Sequence, residues 1–302
     1  MTDLGIVYEH PQWFLPLFAA LDRRGVDYQA YSLVDHNFDL AEAAPAPLIF
    51  NRVAQSGFLR HAEHSTFYTI ALLDHWARSG ARMINGSDVL QLDSSKARQL
   101  SLVAALGLGV PGTRVVHRPA DLLEAAETMD YPLLVKANIG GSGAGIARYN
   151  SRQDLAQAIG DGSVPQSIDK VLLLQDYVPA RGDKITRIET LAGKFLYALD
   201  VETGNDVFDL CPADACVAQP GRAATTMTAT VPPPEIVAAA ERIAQAAGLD
   251  VGGIEVVIDD RDGVPRFYDI NAMSNFVADP VTVLGWDPHD RLVDYLEQRI
   301  SE

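Results

Sequence analysis

The sequence predicts an α/β (α+β) fold in which a parallel sheet at the amino terminus is followed by antiparallel strands. Residues 4–8 form an apolar strand and residues 26–33 a second strand, on either side of a helical segment at 13–24. This β-α-β order is typical of a parallel sheet. Residues 188–199 contain two strands about Ala192-Gly193, which indicates a hairpin. Residues 253–270 contain another pair of strands around the tight turn Asp-Arg-Asp-Gly.

Composition bounds the class of protein. The chain has 302 residues, of which 48% are hydrophobic, so it can bury a large core and is expected to divide into two or three subdomains. Its net charge of −16 argues against non-specific nucleic-acid binding, which depends on basic surface. No apolar run reaches the length of a membrane span, and no signal segment is evident. The two cysteines, Cys211 and Cys216, do not make a disulfide framework. We therefore expect a cytoplasmic protein that binds neither nucleic acid nor membrane.

The other elements follow from hydrophobic periodicity and from turn residues. We predict strands at 47–50, 81–85, 113–117, 132–137 and 170–175, and helices at 58–79, 119–129, 151–159, 235–247 and 288–300. A further helix ends at Leu106 and is expected to be capped by Asp93 or Ser94. Residues 207–234 are predicted to be irregular, as in a functional loop or lid.

Polar residues follow the first strands, where parallel sheets place their ligands. Glu9 and His10 follow the first strand, and Asp35 and His36 follow the second. We interpret these four as turn-capping residues in preference to ligand-binding ones. Arg52 follows the third strand, where it could hold a carboxylate or a phosphate or, equally, form a surface salt bridge.

The segment 132–149 carries the strongest functional signal. Lys136 interrupts an apolar strand, and four glycines follow within Gly140-Gly-Ser-Gly-Ala-Gly145. Successive backbone N–H groups in such a loop bind anions, so a lysine that leads into it indicates a phosphate clamp. A glycine-rich hairpin with an incidental lysine is the alternative. No Gly-Lys-Ser/Thr follows the glycines, which excludes a P-loop, and a strand lysine before the glycines is not the Rossmann order.

Two further features point to the same chemistry. Lys96 lies near a predicted helix start, where its charge opposes the helix dipole, and this suggests a nearby ligand anion. Glu255, Asp269 and Asn271 lie on paired strands, and alternation places Asp269 and Asn271 on one face. Two carboxylates and an amide oxygen suit Mg²⁺ rather than zinc, although a hydrogen-bonded polar turn is the alternative.

These motifs, in this order, resemble the ATP-grasp superfamily, in particular its RimK-type and glutathione-synthase-like ligases, from Ile49 to about Phe276. The resemblance implies an ATP-grasp fold, with an amino-terminal parallel-sheet domain at 1–92 and two α+β subdomains at 93–176 and 177–302 that clamp ATP.

The resemblance also assigns roles. Lys96 and Lys136 match the two lysines that bind ATP, and Asp183 matches the ribose-binding position. Arg187 matches a catalytic arginine that holds phosphates or the acyl intermediate. Arg52 corresponds to an arginine that contacts the substrate. The flap over the phosphates corresponds to Gly140, Gly141, Ser142, Gly143 and Gly145, and the adenine hinge to Gln175, Asp176, Tyr177 and Val178. Glu255, Asp269 and Asn271 align with the Mg²⁺ ligands.

The sequence departs from the family pattern in three places. Asp269 stands where the family usually has Glu, and Asn271-Ala-Met-Ser-Asn275 replaces an Asn-x-x-Pro-Gly ending. The segment 210–216, which contains both cysteines, has no counterpart. These differences leave the substrates open.

The implied activity is ATP-dependent ligation of a small-molecule carboxylate to an amine through an acyl phosphate, with ATP and Mg²⁺ as cofactors and Mn²⁺ as an alternative metal. The substrate is expected to be amino-acid-like or a peptide, and the enzyme a homodimer. A small-molecule kinase on the same scaffold and a nucleotide-binding protein without turnover are the rival hypotheses.

Overall fold

Three sheets organise the molecule. The computed structural model describes residues 2–60, 65–141, 144–203 and 226–302. Each sheet lies within one of the three units predicted from the sequence, in the order parallel, antiparallel, antiparallel. The division into three units itself remains a prediction.

The first sheet is parallel and has the order β2-β1-β3-β4. Its strands are β1 (Leu4–Tyr8), β2 (Tyr28–Ser32), β3 (Leu48–Arg52) and β4 (Arg82–Ile84). β1 and β3 are buried nearly throughout, as expected for central strands covered by helices. The predicted β-α-β start is confirmed, and Arg52 is the last residue of β3 rather than a residue beyond it.

The second sheet is antiparallel with the order β5-β8-β6-β7. It comprises β5 (Thr113–Val116), β6 (Leu133–Gly141), β7 (Ala144–Tyr149) and β8 (Leu172–Asp176). β6 extends beyond the predicted strand and runs into the glycine-rich segment. Lys136 therefore lies in a central strand, four residues before that segment begins.

The third sheet is antiparallel with the order β11-β10-β9-β12-β13. Its strands are β9 (Lys184–Leu191), β10 (Lys194–Glu202), β11 (Met227–Thr230), β12 (Val251–Ile258) and β13 (Pro265–Asn271). Ala192 and Gly193 both have positive φ, at 51° and 69°, which confirms the hairpin turn between β9 and β10. β11 corrects the irregular prediction for 207–234, because residues 227–230 pair with β10; residues 204–225 lie outside the described part.

Helices cover these sheets and link them. The described α-helices are α1 (Leu15–Arg24), α2 (Ser65–Arg78), α3 (Ser87–Asp93), α4 (Lys96–Ala105), α5 (Leu122–Ala125), α6 (Arg152–Asp161), α7 (Pro234–Ala246), α8 (Pro280–Leu284) and α9 (Pro288–Ser301). α9 returns to the first unit, where Arg24 of α1 forms ion pairs with Asp294 and Glu297. None of the helices in the described ranges has the length and apolar character needed to cross a bilayer.

The helix that carries Lys96 begins later than predicted. Asp93 ends α3, and Ser95 is the N-cap of α4, where its Oγ accepts from the Arg98 N–H at 3.4 Å. The prediction of Asp93 or Ser94 as the cap was wrong because a separate short helix, α3, precedes this one. α4 packs on β13, and Gln99 bonds the main chain of Ile270 through both ends of its amide.

Candidate active site

Lys96 and Asp269 contact each other, although 173 positions separate them in the chain. Lys96 lies at the first turn of α4 and Asp269 in β13, and their side chains are largely buried. Burial by itself would lower the pKa of Lys96, but the charge and hydrogen bond of Asp269 outweigh it, so the pKa of Lys96 is raised. Lys96, predicted to bind phosphate, is therefore in contact with Asp269, which is predicted to bind the metal.

Lys136 is a buried cation of a different kind. It is 8% exposed, and within the described ranges it forms no ion pair. Its Nζ lies 5.4 Å from the ring centre of Tyr268. Burial and, to a smaller extent, the charge of Lys96 together lower the pKa of Lys136 to about 8. A buried lysine whose one partner in the described part of the chain is an aromatic face is poised to bind an anion.

A β-bulge brings Tyr268 to this position. Glu255 of β12 pairs with Asp269 of β13, but the next residue, Val256, pairs with Phe267. Tyr268 therefore has no residue opposite it on β12. Simple alternation would turn Tyr268 away from Asp269, whereas a bulge re-aims a side chain. The period-2 argument could not reveal Tyr268 as a site residue.

Arg187 holds two carboxylates. From β9, its Nη1 donates to Glu255 Oε1 at 3.1 Å and its Nε to Glu189 Oε1 at 2.7 Å. Burial opposes the charge, yet the two acids outweigh burial and raise the pKa of Arg187. Gly253 makes this possible, because a Cβ there would lie 2.8 Å from both Arg187 Nε and Glu189 Oε1. Glu189 is a site residue that the sequence reasoning missed.

The predicted metal ligands come together. Asn271 Nδ2 lies 3.2 Å from Asp269 Oδ2 and 3.5 Å from Glu255 Oε1. Burial and the charge of Asp269 raise the pKa of Glu255, which shows that the two carboxylates repel each other. Two adjacent carboxylates are hard donors that fit a divalent cation such as Mg²⁺. The amide of Asn271 presents its Nδ2 to them here and would offer its Oδ1 to a cation after an amide flip. The donor set therefore fits the expected metal.

Asn138 is a second residue that the sequence did not single out. It lies on β6, two residues after Lys136, and its Oδ1 accepts from the Ala97 N–H at 2.9 Å and the Ser95 hydroxyl at 3.2 Å. Its Nδ2 donates to Asp169 at 2.6 Å. Asn138 therefore fastens the strand of Lys136 to the start of the helix that carries Lys96.

The glycine-rich segment touches the first unit. Gly140 is buried, and Gly141 lies so close to the 3-10 turn Gln55–Leu59 that a Cβ would be 2.5 Å from Ser56 Cβ. Gly145 has φ +74°, which favours glycine. Ser142 and Gly143 lie outside the described residues, as do Cys211 and Cys216.

The predicted adenine hinge follows β8. Gln175 is buried and donates to Thr113 Oγ1 at 3.0 Å. The N–H groups of Asp176 and Tyr177 donate to the carbonyls of Gly112 and Pro132. The N–H of Val178 has no acceptor within the described chain, so it is available to a ligand. Asp183 is exposed, and its backbone is left-handed with φ 52°.

Arg52 is buried, which rules out the surface salt bridge considered from the sequence. It is 2% exposed, its guanidinium packs over Phe14 and Phe50, and Nη2 donates to the Ser274 carbonyl and to Asn275 Oδ1. Its Nε and Nη1 have no hydrogen-bond partner in the described part of the protein. Arg52 thus retains two unused donors.

Glu9 is more than a turn cap. It is fully buried and accepts from Arg60 Nη2 at 2.5 Å, and Arg60 lies over the ring of Trp13 at 4.3 Å. The turn-capping interpretation did not foresee this buried ion pair, which forms because the 3-10 turn after β3 brings Arg60 to Glu9. Asn85, by contrast, has a structural role: among the described residues, its side chain bonds the main chain of residues 250, 251 and 272 and no other group.

Comparisons with known proteins identify the family and the fold of this chain. A family model described as the RimK-like ATP-grasp domain matches residues 93–278. The probable alpha-L-glutamate ligase of Thioalkalivibrio sulfidiphilus is 26% identical over 77% of this chain and 73% of its own length. The ribosomal protein bS6--L-glutamate ligase of Salmonella paratyphi B is also 26% identical, over 78% of this chain and 74% of its own length. The solved structure of the ATP-grasp ligase PsnB complexed with minimal precursor superposes over 99% of both chains with a TM-score of 0.71 at 18% identity, and a complex that also contains Mg and ADP has a TM-score of 0.69.

Proposed function

The chain belongs to the RimK-like ATP-grasp family, and on that premise we propose that it ligates a carboxylate to an amine through an acyl phosphate, with conversion of ATP to ADP and phosphate. One observation carries the proposal: three buried cations, Lys96, Lys136 and Arg187, surround the carboxylates of Glu255 and Asp269. Cations placed in this way stabilise the charge of a transferred phosphoryl group. No side-chain nucleophile is needed.

The metal site is proposed at Glu255, Asp269 and Asn271, which would hold Mg²⁺, with Mn²⁺ as an alternative. A bound Mg²⁺ would neutralise phosphate charge and orient the nucleotide. The repulsion between Glu255 and Asp269 supports this assignment, because a cation between them would relieve it.

The protein's own residues do the remaining work. Lys136 would bind phosphate oxygens, and Lys96 would contribute a second positive charge from the start of α4. The flap that follows β6 would exclude water from an acyl phosphate, which hydrolyses readily. Val178 would bind the adenine edge through its N–H, and Asp183 the ribose.

Two observations indicate the class of substrate: the unused donors of Arg52 and the activities named for the relatives. Arg52 has two unused donors and would bind a carboxylate in bidentate fashion. The two named relatives are glutamate ligases, so we propose an amino-acid-like or peptide substrate. We further propose a cytoplasmic homodimer whose three units span 1–92, 93–176 and 177–302.

Product analysis tests the proposal. The enzyme is incubated with Mg²⁺-ATP and a pool of amino acids and dipeptides, and ADP, AMP and free phosphate are measured. Substrate-dependent ADP with equal free phosphate is expected for ligation through an acyl phosphate. ADP without free phosphate would mean that the phosphoryl group stays on the product, as in a kinase. No ADP with any member of the pool would contradict the proposal.

A further inference from the structure

Arg52 and Asp93 are two buried ionisable groups, one basic and one acidic, that do not pair with each other. Each is 2% exposed. Burial raises the pKa of Asp93 to about 7. Two nitrogens of Arg52, Nε and Nη1, have no hydrogen-bond partner among the described residues, and the same is true of Asp93 Oδ2. Arg52 also forms no ion pair with any described residue. The contacts that Arg52 Nη2 does make are with a carbonyl and an amide oxygen, which are neutral groups.

The two side chains flank one short segment. Asp93 Oδ1 accepts from the Ala272 N–H at 2.8 Å, and Arg52 Nη2 donates to the carbonyl of Ser274, two residues further on. Burial lowers the pKa of Arg52 to about 10, and the charges of Glu189 and Asp93 oppose that change. Arg52 and Asp93 therefore lie within reach of each other's charge, beside the segment in which this chain departs from the family pattern.

Glu189 adds a second unused acceptor. It is 1% exposed, and its Oε1 accepts from Arg187 while its Oε2 has no partner in the described part of the chain. Its charge also acts on Arg52. The cluster thus offers two free donors of Arg52 and two free carboxylate oxygens, on three side chains that are almost closed to solvent.

Buried charges that lack partners are costly, and a direct Arg52–Asp93 ion pair would reduce that cost. The fold instead keeps the two groups apart and bonds each of them to the main chain. This arrangement is complementary to a ligand that carries both charges. A carboxylate would satisfy the two free donors of Arg52, and an ammonium group would satisfy Asp93 Oδ2 and Glu189 Oε2.

We propose that Arg52, Asp93 and Glu189 form a subsite for a free amino acid bound as a zwitterion, with its carboxylate at Arg52 and its ammonium group at Asp93 and Glu189. The inference rests on the proposed function, because the amino acid would be one of the two ligated substrates. A peptide end carries only one of the two charges, and the burial of all three side chains favours a small molecule.

Binding without nucleotide tests the subsite directly. The full chain is screened by saturation-transfer NMR with the twenty protein amino acids and their D-enantiomers. Each binder is then compared with the amine that lacks its carboxylate and the acid that lacks its amino group. We expect the zwitterion to bind at least about tenfold more tightly than either analogue, as loss of one charged contact implies. Failure of every amino acid to bind, or equal binding of an analogue, would overturn the proposal.

Asp93→Asn identifies the ammonium contact. The amide can keep the bond from Ala272 N–H to Oδ1 but removes the negative charge. We expect Asp93→Asn to weaken binding of the amino acid by about tenfold, while the acid that lacks the amino group binds as tightly as before. Glu189→Gln repeats the test if Asp93→Asn does not fold, and Asp290→Asn, an exposed acid on α9, is the control. Unchanged discrimination between amino acid and acid in both Asp93→Asn and Glu189→Gln would overturn the assignment.

Turnover separates this inference from the proposed function. ADP and phosphate release without zwitterion preference in the binding experiment would support the ligase and reject the subsite. Preferential zwitterion binding that vanishes in Asp93→Asn, without ADP release, would support the subsite and reject the ligase.

Discussion

Arg187 Nη1 donates to Glu255 Oε1 at 3.1 Å, and this ion pair connects the proposed phosphate-binding cations to the proposed metal ligands. Lys96 and Asp269 form the parallel connection. Each carboxylate proposed for the metal therefore has a cation beside it that is itself proposed to bind phosphate. Nucleotide and metal binding are expected to be interdependent, and the predictions below follow from that arrangement.

Lys136→Ala removes a buried cation that has no carboxylate partner in the described chain. We expect kcat/KM for ATP-dependent turnover to fall by about 10²–10³-fold, since a preorganised charge on the phosphoryl group is lost. ADP release measures the effect, and circular dichroism checks the fold. Lys194→Ala, at an exposed lysine paired with Glu241, is the control. Full activity in Lys136→Ala would refute the phosphate assignment.

ATP binding should weaken above about pH 8. Burial lowers the pKa of Lys136 to about 8, so its charge is present below that pH and is lost as the pH rises through it. The dissociation constant of a non-hydrolysable ATP analogue is measured from about pH 6.5 to about pH 9.5. Lys136→Arg should flatten the profile because arginine stays charged over this range. An equally flat profile for the natural chain would contradict the role of Lys136.

Asp269→Asn should weaken dependence on Mg²⁺. The substitution removes one of two hard anionic donors and also the partner of Lys96. The Mg²⁺ concentration for half-maximal activity is expected to rise by about tenfold or more. Asp260→Asn, on the exposed hairpin turn, serves as the matched control. An unchanged magnesium titration would remove Asp269 from the metal site.

Asn138→Ala should raise KM for ATP as well as lower stability. The Ala97 N–H loses its acceptor, at a cost of about 1 kcal/mol or more, and β6 is released from the start of α4. Urea unfolding and ATP kinetics measure the two effects. Ser151→Ala removes a helix cap at α6 and should cost about 1 kcal/mol without changing KM. Equal KM values for ATP in Asn138→Ala and Ser151→Ala would show that Asn138 contributes to stability but not to ATP binding.

Gly141→Ala should impair turnover, because its Cβ would lie 2.5 Å from Ser56 Cβ and would push the flap strand away from the first unit. We expect kcat to fall while global stability changes little. Gly160→Ala is the control, since nothing lies within 4 Å of its Cβ position in α6 and alanine should stabilise the helix by about 0.5–1 kcal/mol. Unaltered kcat in Gly141→Ala would show that this contact does not matter for activity.

Much of the site could be predicted because its residues belong to local patterns. A lysine in an apolar strand before clustered glycines, and acids at alternating positions on paired strands, are readable without knowledge of the fold. The confirmed sheet elements and the association of Glu255, Asp269 and Asn271 follow from such patterns. The cap of α4 was misplaced because several polar residues in a row could each have served.

The amino-acid sequence by itself determined the family and singled out the two lysines and the acids proposed to bind metal, because short-range spacing and hydrophobic periodicity encode them. Only the tertiary structure decided that Arg52 is buried with unused donors and that the charges of Asp93 and Glu189 act on it. It also decided that Asn138 fastens the strand of Lys136 to the start of the helix that carries Lys96. The physical reason is that burial and pairing of charges depend on contacts between residues far apart in the chain, and local patterns carry no information about them.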